Sequence, residues 1–357
     1  MAADTTGTAL TAPSDELPPS IAARLEKRGG TATIYDIAEL AGVSPSTVSR
    51  ALSKPGRISA QTEAKIRVAA ERLDFRFNPM ARALPTGRSH TIALVVADIT
   101  NPVVFGIVRG AEHAAALAGY TLVIAESQES GEAEAEAVSR ILPSVDAMIL
   151  ATTRLADDKI TDIASRKPVV LVNRRVDGVA GILPDVEAGV TELLEHLAEL
   201  GHRSLAYLSG PETSWISRRR WECMLDASER LGIAVVEIGP NMPTIDGGKA
   251  ALRRVVAARV SSVIAFNDLM AIGLEQAAAQ AQISVPTQLS VAGFDDIFGS
   301  ELIVPPLTTV AAQLEVAGQR AVEMLLDQLE GKDVVASEPL GTRLIIRGST
   351  GPAAVNQ

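Results

Sequence analysis

Residues 33–52 of the chain read TIYDIAELAGVSPSTVSRAL. Apolar side chains at helical spacing start at Ile34, and Gly42 is expected to end this first helix. Ser44 can cap a second helix, with Pro45 at the first helical position, where a missing N–H loses no hydrogen bond. Two helices joined by a turn of about three or four residues containing glycine form a helix-turn-helix.

The surrounding residues extend this unit to residues 31–76. Thr33 precedes the first helix, and Asp36 follows three residues later, a spacing that resembles a capping box. Ser59 can cap a third helix, whose apolar side chains from Ile66 onward share one face. The pattern predicts a small all-α domain of three short helices.

Two segments flank this domain. Residues 1–30 are rich in Ala, Thr, Pro and Ser and predict a flexible tail, with a short helix around Ile21–Lys27 as the alternative. Residues 77–90 predict a hinge helix and linker, because Pro79 suits a first helical position and Pro85 disfavours helix just before it. A helix of about two turns is marginal alone in water, so it needs a partner to form.

Strands and amphipathic helices alternate from residue 91 onward, which predicts an α/β core of parallel sheets covered on both faces. More than 250 residues of this pattern exceed one comfortable core, so two lobes with a cleft are expected. We assign the core to residues 91–347, with an N-lobe of about 91–185 plus 312–340, a C-lobe of about 186–311 plus 341–347, and a tail at 348–357. The predicted strands are Ile92–Ala97, Thr121–Ala125, Ala147–Ala151, Val169–Asn173, Leu205–Ser209, Val235–Gly239, Val263–Asn267 and Ser290–Phe294.

Charge is unevenly spread along the 357 residues. Residues 31–90 hold nine Lys/Arg and five Asp/Glu, a net charge of +4. Because the whole chain carries −10 and residues 1–30 carry −1, residues 91–357 carry −13. A small basic module is thus joined to a large acidic one, and an anionic partner is expected for the first module only.

Several classes of protein are disfavoured by the sequence. A single cysteine excludes an internal disulfide, and four scattered histidines offer no zinc-ligand spacing, so no metal or cofactor is expected. No apolar run reaches the ~18–20 residues of a membrane span, and the first residues do not resemble a secretory signal, so a cytoplasmic protein is expected. The sequence has no Walker A, Gly-x-Ser-x-Gly or dinucleotide fingerprint, so no catalytic residues are assigned.

The residues quoted above resemble the DNA-binding head of the LacI/GalR family of bacterial transcriptional regulators. The resemblance continues in the family order through Asn78–Leu84, Asp98–Pro102, Asn267–Asp268, Gly293–Asp296 and Pro305–Val310. It implies a helix-turn-helix head, a hinge helix and a core like a periplasmic sugar-binding protein. It also implies a homodimer that binds double-stranded DNA at a pseudo-palindromic operator.

Candidate DNA contacts cluster on the second helix, whose free N–H groups suit phosphate and whose arginine can bind guanine in a fork. They are Ser44, Pro45, Ser46, Thr47, Ser49 and Arg50. By resemblance, Pro45, Ser46 and Arg50 read bases, whereas Thr33, Arg57, Ser59 and Thr62 position phosphates. The resemblance also makes Leu84 a minor-groove wedge, with Asn78 and Arg82 able to reach groove or phosphate atoms.

The resemblance places effector contacts at Asn173, Arg220, Asn267 and Asp295. Carboxylate, amide and guanidinium groups suit vicinal hydroxyls, and with 3% aromatic residues a sugar is better supported than a flat purine. For two nearby carboxylates we expect a structural role rather than an effector contact, Asp98 as a loop cap and Asp296 as a capping residue.

These observations predict a sequence-specific repressor controlled by a small molecule, a sugar or sugar derivative, bound between the core lobes. Control by a phosphorylated protein co-effector stays open within this class. A solute-binding protein and an enzyme on the same core are the alternatives from other classes, and the basic head argues against the first.

Overall fold

The computed structural model describes residues 17–53, 56–75, 88–334 and 338–354. These residues divide into a small unit within residues 1–81 and a larger unit within residues 82–357. Among the described residues, no helix is both long enough and apolar enough to cross a lipid bilayer.

The small unit is a head of four helices packed around one apolar core. They are α1 (Pro19–Lys27), α2 (Ile34–Ala41), α3 (Pro45–Ser53) and α4 (Ala60–Arg72). Gly42 ends α2 in a left-handed conformation, with φ of 66°, which glycine adopts without a Cβ penalty. The side chains of Ile21, Ile37, Val48 and Ile66 are at most 1% exposed and hold the four helices together. The three helices expected over residues 31–76 are confirmed.

The expectation of a flexible tail over residues 1–30 is wrong for α1, and the alternative of a short helix there is confirmed. This helix forms because Ile21 is fully buried in the head core and because Arg24 in the helix and Arg28 just after it pair with Asp36 of α2. These contacts reach residues more than ten positions away or beyond Gly29 and Gly30, so local composition did not reveal them. Residues 1–16 lie outside the described residues.

The first lobe of the large unit is a five-stranded parallel sheet with the strand order β2-β1-β3-β4-β5. Its strands are β1 (Thr91–Val96), β2 (Thr121–Glu126), β3 (Ala147–Ala151), β4 (Val169–Val172) and β5 (Ala180–Ile182). Helices α5 (Val103–Leu117), α6 (Gly131–Ile141) and α7 (Asp157–Arg166) connect them. Continuous apolar runs form the three central strands because both faces of the sheet are covered.

The second lobe is a six-stranded sheet with the strand order β11-β10-β9-β8-β6-β7, parallel except for the β10–β11 pair. Its strands are β6 (Ser204–Leu208), β7 (Ala234–Ile238), β8 (Ser262–Ala265), β9 (Ser290–Asp295), β10 (Thr308–Ala311) and β11 (Arg343–Ile345). Its helices are α8 (Val186–Glu199), α9 (Trp215–Leu231), α10 (Ile245–Ala258) and α11 (Asp268–Gln280). Short 3-10 turns occupy Leu142–Ser144 in the first lobe and Phe298–Glu301 here.

The chain crosses between the two lobes three times, after β5, after β10 and before β11. The second crossing sends α12 (Leu314–Leu329) back to the first lobe, where it packs closely on α5. A Cβ on Gly110 or on Gly318 would lie about 2 Å from the backbone of the facing helix, so the glycines permit this approach. Leu340 pairs with Leu183 and Asp185 at 2.8 and 2.7 Å, which places the first and third crossings side by side.

The eight strands predicted between residues 91 and 294 are all present, each within two residues of its expected bounds. Three short strands, β5, β10 and β11, were not expected. The expected tail at residues 348–357 is wrong for residues 348–354. Ser349 is fully buried and hydrogen-bonds Val291 and Thr308, so this segment packs on the second sheet.

Candidate functional site

Helix α3 of the head has one buried side and one polar exposed side. Val48 and Ala51 face the core, whereas Ser46, Ser49 and Arg50 are exposed. The Ser44 hydroxyl accepts a hydrogen bond from the Thr47 N–H at 3.2 Å, which confirms Ser44 as the cap of this helix. Among the described residues no side chain pairs with Arg50. The exposed side therefore presents hydroxyls and one free guanidinium, the groups that read base edges in a major groove.

The Asp36 carboxylate on α2 is the centre of a hydrogen-bonded clamp in the head. It is fully buried and accepts from the Thr33 N–H at 2.9 Å and from the Thr33 hydroxyl at 2.7 Å. Arg24 donates to it at 3.1 Å, and Arg28 donates at 3.0 and 3.2 Å. Burial would raise the pKa of Asp36, but the hydrogen bonds from Arg28, Thr33 and Arg24 hold it well below its usual range.

Thr33, one of the four residues expected to position phosphates, belongs to this clamp. The N–H and the hydroxyl of Thr33 both donate to Asp36. Thr33 can therefore donate to a phosphate only if one of these hydrogen bonds breaks. Arg57 is exposed, and Ser59 caps α4 by accepting from the Thr62 N–H at 3.3 Å. Tyr35, which is not among the expected DNA contacts, is 67% exposed in the first turn of α2. Asn78, Arg82 and Leu84 lie outside the described residues.

The large unit has a polar cavity at the carboxyl ends of the strands of both lobes, where ligands bind in such sheets. Three of the four expected effector residues line it, namely Asn173, Arg220 and Asp295. Val103 and Val104 also line it. The cavity has a volume of about 30 Å³, room for a water or two but far smaller than the pockets of about 300–1,000 Å³ that hold small molecules.

Arg220 and Asp295 form a buried ion pair on the second-lobe wall of this cavity. Arg220 donates to Asp295 Oδ1 at 3.3 Å and to the Phe266 carbonyl, and its guanidinium lies 4.1 Å from the Phe294 ring centre. Burial raises the pKa of Asp295, and the positive charge of Arg220 opposes that rise. Of the three arginines at 218–220, Arg220 alone is buried.

Asn267 does not line the cavity. It caps α11 by accepting from the Met270 N–H at 2.9 Å, and its amide donates to the Pro243 carbonyl at 3.0 Å. The expected effector contact at Asn267 therefore competes with a structural role, because both polar atoms of its amide are already bonded.

Asp268, which follows Asn267, fixes the loop that comes after Asp295. It is fully buried and accepts from the Thr309 hydroxyl at 2.6 Å, the Ser300 hydroxyl at 2.7 Å and the Ile297 N–H at 3.0 Å. Burial, and then the charge of Asp295, raise the pKa of Asp268 to about 7. Asp98 accepts from the Thr100 N–H and hydroxyl at 2.8 and 2.6 Å, which confirms it as a loop cap.

Backbone strain is concentrated at this cavity. Four non-glycine residues that line it have positive φ angles, and each follows or ends a strand: Glu129 (60°), Thr152 (54°), Asn173 (60°) and Asp295 (105°). Positive φ is uncommon for non-glycine residues and is a genuine outlier for a β-branched one such as Thr152. Strain of this kind collects at ligand sites, where the fold holds side chains in fixed directions.

Comparison with known proteins places the chain in a family. The model for bacterial regulatory proteins of the lacI family matches residues 33–78, and that for a periplasmic binding protein-like domain matches residues 194–350. The HTH-type transcriptional repressor CytR of Escherichia coli K12 is 31% identical over 338 residues, which are 92% of this chain and 98% of the relative. The chain belongs to the LacI family.

Solved structures agree with this placement. The structure of the lac repressor dimer bound to operator and the anti-inducer ONPF superimposes with a TM-score of 0.81 at 27% identity, covering 90% of this chain and 99% of that one. A LacI-family regulator from Enterococcus faecium with bound ribose has a TM-score of 0.65 at 27% identity, covering 73% and 99%. As a LacI-family transcriptional repressor, the chain carries a helix-turn-helix DNA-binding head on a two-lobed α/β core.

The cavity of this LacI-family protein has no tryptophan wall. Trp221 stacks on Tyr207, with ring centres 6.1 Å apart, and Trp215 packs on the second-lobe core. Neither lines the cavity, where Phe266 supplies the aromatic surface. Cys223 is buried in the same core, and burial raises the pKa of its thiol, as expected for a packed apolar residue.

Proposed function

We propose that the protein binds a pseudo-palindromic operator in the cytoplasm as a homodimer, and that a sugar or sugar derivative in the lobe cavity controls this binding. The observation that carries the proposal is the convergence of Asn173 from the first lobe with Arg220 and Asp295 from the second. A ligand that touches both lobes binds one lobe arrangement more tightly than another, which is the requirement for control of a distant site.

Base readout is assigned to the exposed side of α3, with Arg50 as the main anchor. Its guanidinium has no partner among the described residues and can bind guanine O6 and N7 together. Arg50→Ala should weaken binding to a selected operator by about 1–3 kcal/mol and relax preference at one base pair of each half-site. The operator would be selected from random DNA with the wild-type protein. Equal loss on every sequence would contradict the readout role.

The role proposed for the hinge segment, residues 77–90, rests on the family resemblance. Leu84 acts as the wedge that opens a minor-groove step, and Asn78 and Arg82 contact groove or phosphate atoms. A short segment that becomes helical only when paired on DNA would couple the arrangement of the core to operator affinity.

A homodimer is supported by an apolar surface in the second lobe. Phe298, Leu302 and Val304 are 68%, 74% and 95% exposed within seven residues of one another. Clustered exposed apolar side chains of this kind mark protein interfaces in soluble proteins. Sedimentation equilibrium measures the state directly, and a monomer at concentrations that saturate the operator would contradict the proposal.

Effector entry requires lobe movement, because the cavity volume of about 30 Å³ is too small for a sugar ring. Three crossings join the lobes, and rotation about them would open the cavity. Support for a sugar comes from the Enterococcus faecium relative, whose structure contains ribose, and from the hydroxyl-binding groups on both cavity walls.

A thermal-shift screen against sugars, sugar phosphates, polyols and nucleosides tests the proposal. A true effector at a hundredfold excess over its Kd should stabilise the protein by about 2.7 kcal/mol, and the same compound should change operator affinity. A compound that does both supports small-molecule control and gives its sign. A blank across the panel would overturn it and favour the alternative, a phosphorylated protein co-effector. Turnover of a bound sugar would instead favour an enzyme.

A further inference from the structure

A second buried ion pair lines the effector cavity, on the first-lobe wall. Arg154 Nε and Nη2 each lie 2.7 Å from Glu129 Oε2, and Arg154 Nη1 donates to the Thr152 carbonyl at 2.8 Å. The two side chains are 3% and 12% exposed. Neither residue could be recognised from the sequence, because a charged side chain after a strand is not distinctive by itself.

The pair is held rigidly by its surroundings. Glu134, itself buried at the start of α6, accepts from the Arg154 backbone N–H at 2.7 Å. Gly131 approaches the Arg154 carbonyl so closely that a Cβ there would lie 2.7 Å from it. Glu129 and Thr152, on either side of the pair, both have positive φ angles. The fold thus fixes the direction of these side chains, as a binding wall requires.

The basic groups of the cavity are already neutralised. Among the described residues that line it, Arg154 and Arg220 are the basic ones, and each is paired with a carboxylate of its own lobe. With Asp98 included, three carboxylates face two guanidinium groups. A phosphate entering this space would meet net negative charge without a free cation, which is costly in a poorly hydrated site.

The cavity atoms that make no hydrogen bond are mainly acceptors, not cations. Within the described residues, Glu129 Oε1 and Asp295 Oδ2 accept no hydrogen bond, and the Asn173 side-chain amide makes none. Carboxylate oxygens accept from hydroxyl groups, and an amide can both donate and accept. The two walls therefore offer acceptors to the hydroxyls of one uncharged molecule.

We propose that the Glu129–Arg154 pair determines effector specificity, with Glu129 Oε1 accepting from a hydroxyl of an uncharged polyol and the pair excluding phosphorylated compounds. This inference rests on the proposed function, in which the cavity is the effector site. It assigns a chemical class: free sugars and nucleosides bind, and their phosphate esters do not.

Matched pairs of compounds test the class directly. Wild-type protein would be melted with D-ribose and ribose 5-phosphate, D-glucose and glucose 6-phosphate, and cytidine and cytidine 5′-monophosphate. The inference expects every stabilisation to come from the uncharged member. Stabilisation by a phosphate ester overturns the inference and leaves small-molecule control intact. A blank in all pairs overturns both, so the two failures are distinguishable.

Substitution of the pair tests the residues. For the uncharged compound that binds best, Glu129→Gln should weaken binding about 10- to 100-fold, the usual loss when a charged hydrogen-bonding partner is neutralised. The preference over the phosphate ester should shrink, because one repelling charge is gone. Glu132→Gln, an exposed residue in the same segment with the same charge change, should behave as wild type.

Because Glu129→Gln leaves Arg154 as a buried charge, a second variant is needed. Glu129→Gln combined with Arg154→Gln removes both charges, and its melting temperature and operator affinity without compound report on folding. The inference expects this folded variant to lose affinity for the uncharged compound as Glu129→Gln does, and still to exclude the phosphate ester, because removing both charges leaves no unpaired cation in the cavity. Wild-type affinity and preference in either folded variant would overturn it.

Discussion

Asp36→Ala is expected to unfold the DNA-binding head while leaving the core intact. The substitution removes a buried carboxylate that accepts five hydrogen bonds, from Arg24, Arg28 and Thr33. The two arginines are partly exposed and regain water, so the loss falls below that of a fully buried pair, at about 2–4 kcal/mol. A head of about 60 residues has only a few kcal/mol of stability in total.

The expected readout is a split response. Operator binding should fall to the level of nonspecific DNA, whereas the melting transition of the core and its response to an effector should stay unchanged. The matched control is Glu39→Ala on the same helix. Glu39 also pairs with Arg24, at 2.5 Å, but is exposed, and exposed pairs contribute little. If Asp36→Ala binds the selected operator as tightly as Glu39→Ala, the clamp is not needed to fold the head.

Only the local contacts of the Asp36 clamp could be predicted from the sequence. Thr33 and Asp36 have a capping-box spacing, and their bond was predictable because it lies within one helical turn. Arg28, just after α1, and Arg24, within it, bind Asp36 from eight and twelve positions away. The family model starts at residue 33, as does the resemblance, so neither covers α1.

Strands of the core were predictable, because apolar runs between helices have few other interpretations. The missed strands β5, β10 and β11 have three or four residues each, and β11 pairs antiparallel at an edge. Runs of three or four residues are too short to show the hydrophobic pattern from which a strand is predicted. Residues 348–354 were missed because buried polar contacts, such as those of Ser349, have no hydrophobic signal.

The candidate effector site was predictable where a family motif marked it. Asn173, Arg220 and Asp295 line the cavity, whereas Asn267 caps α11. Glu129 and Arg154 complete the cavity wall but belong to no motif. Their positive-φ neighbourhood is a tertiary feature, since only packing holds a residue such as Thr152 in that conformation.

Glu275→Met is expected to stabilise the core, by an amount that grows with pH. Glu275 lies on α11, is 6% exposed, and neither carboxylate oxygen has a hydrogen-bond partner among the described residues. Burial raises the pKa of Glu275 from its ordinary 4.5 to about 8. Between these values the unfolded chain releases a proton that the folded chain keeps, so wild-type stability falls as pH rises.

Each pKa unit corresponds to 1.36 kcal/mol, so the stability attributable to this group should drop by about 4 kcal/mol from pH 4.5 to pH 8. Methionine fills a similar volume without ionising, so the variant should lose this slope and melt well above wild type at pH 8. Chemical denaturation across this pH range measures the difference. Glu229→Met, exposed on α9 of the same lobe, should leave the slope unchanged. Equal slopes for wild type and Glu275→Met would mean that Glu275 is ionised and hydrated in the folded protein, and that burial alone does not govern this group.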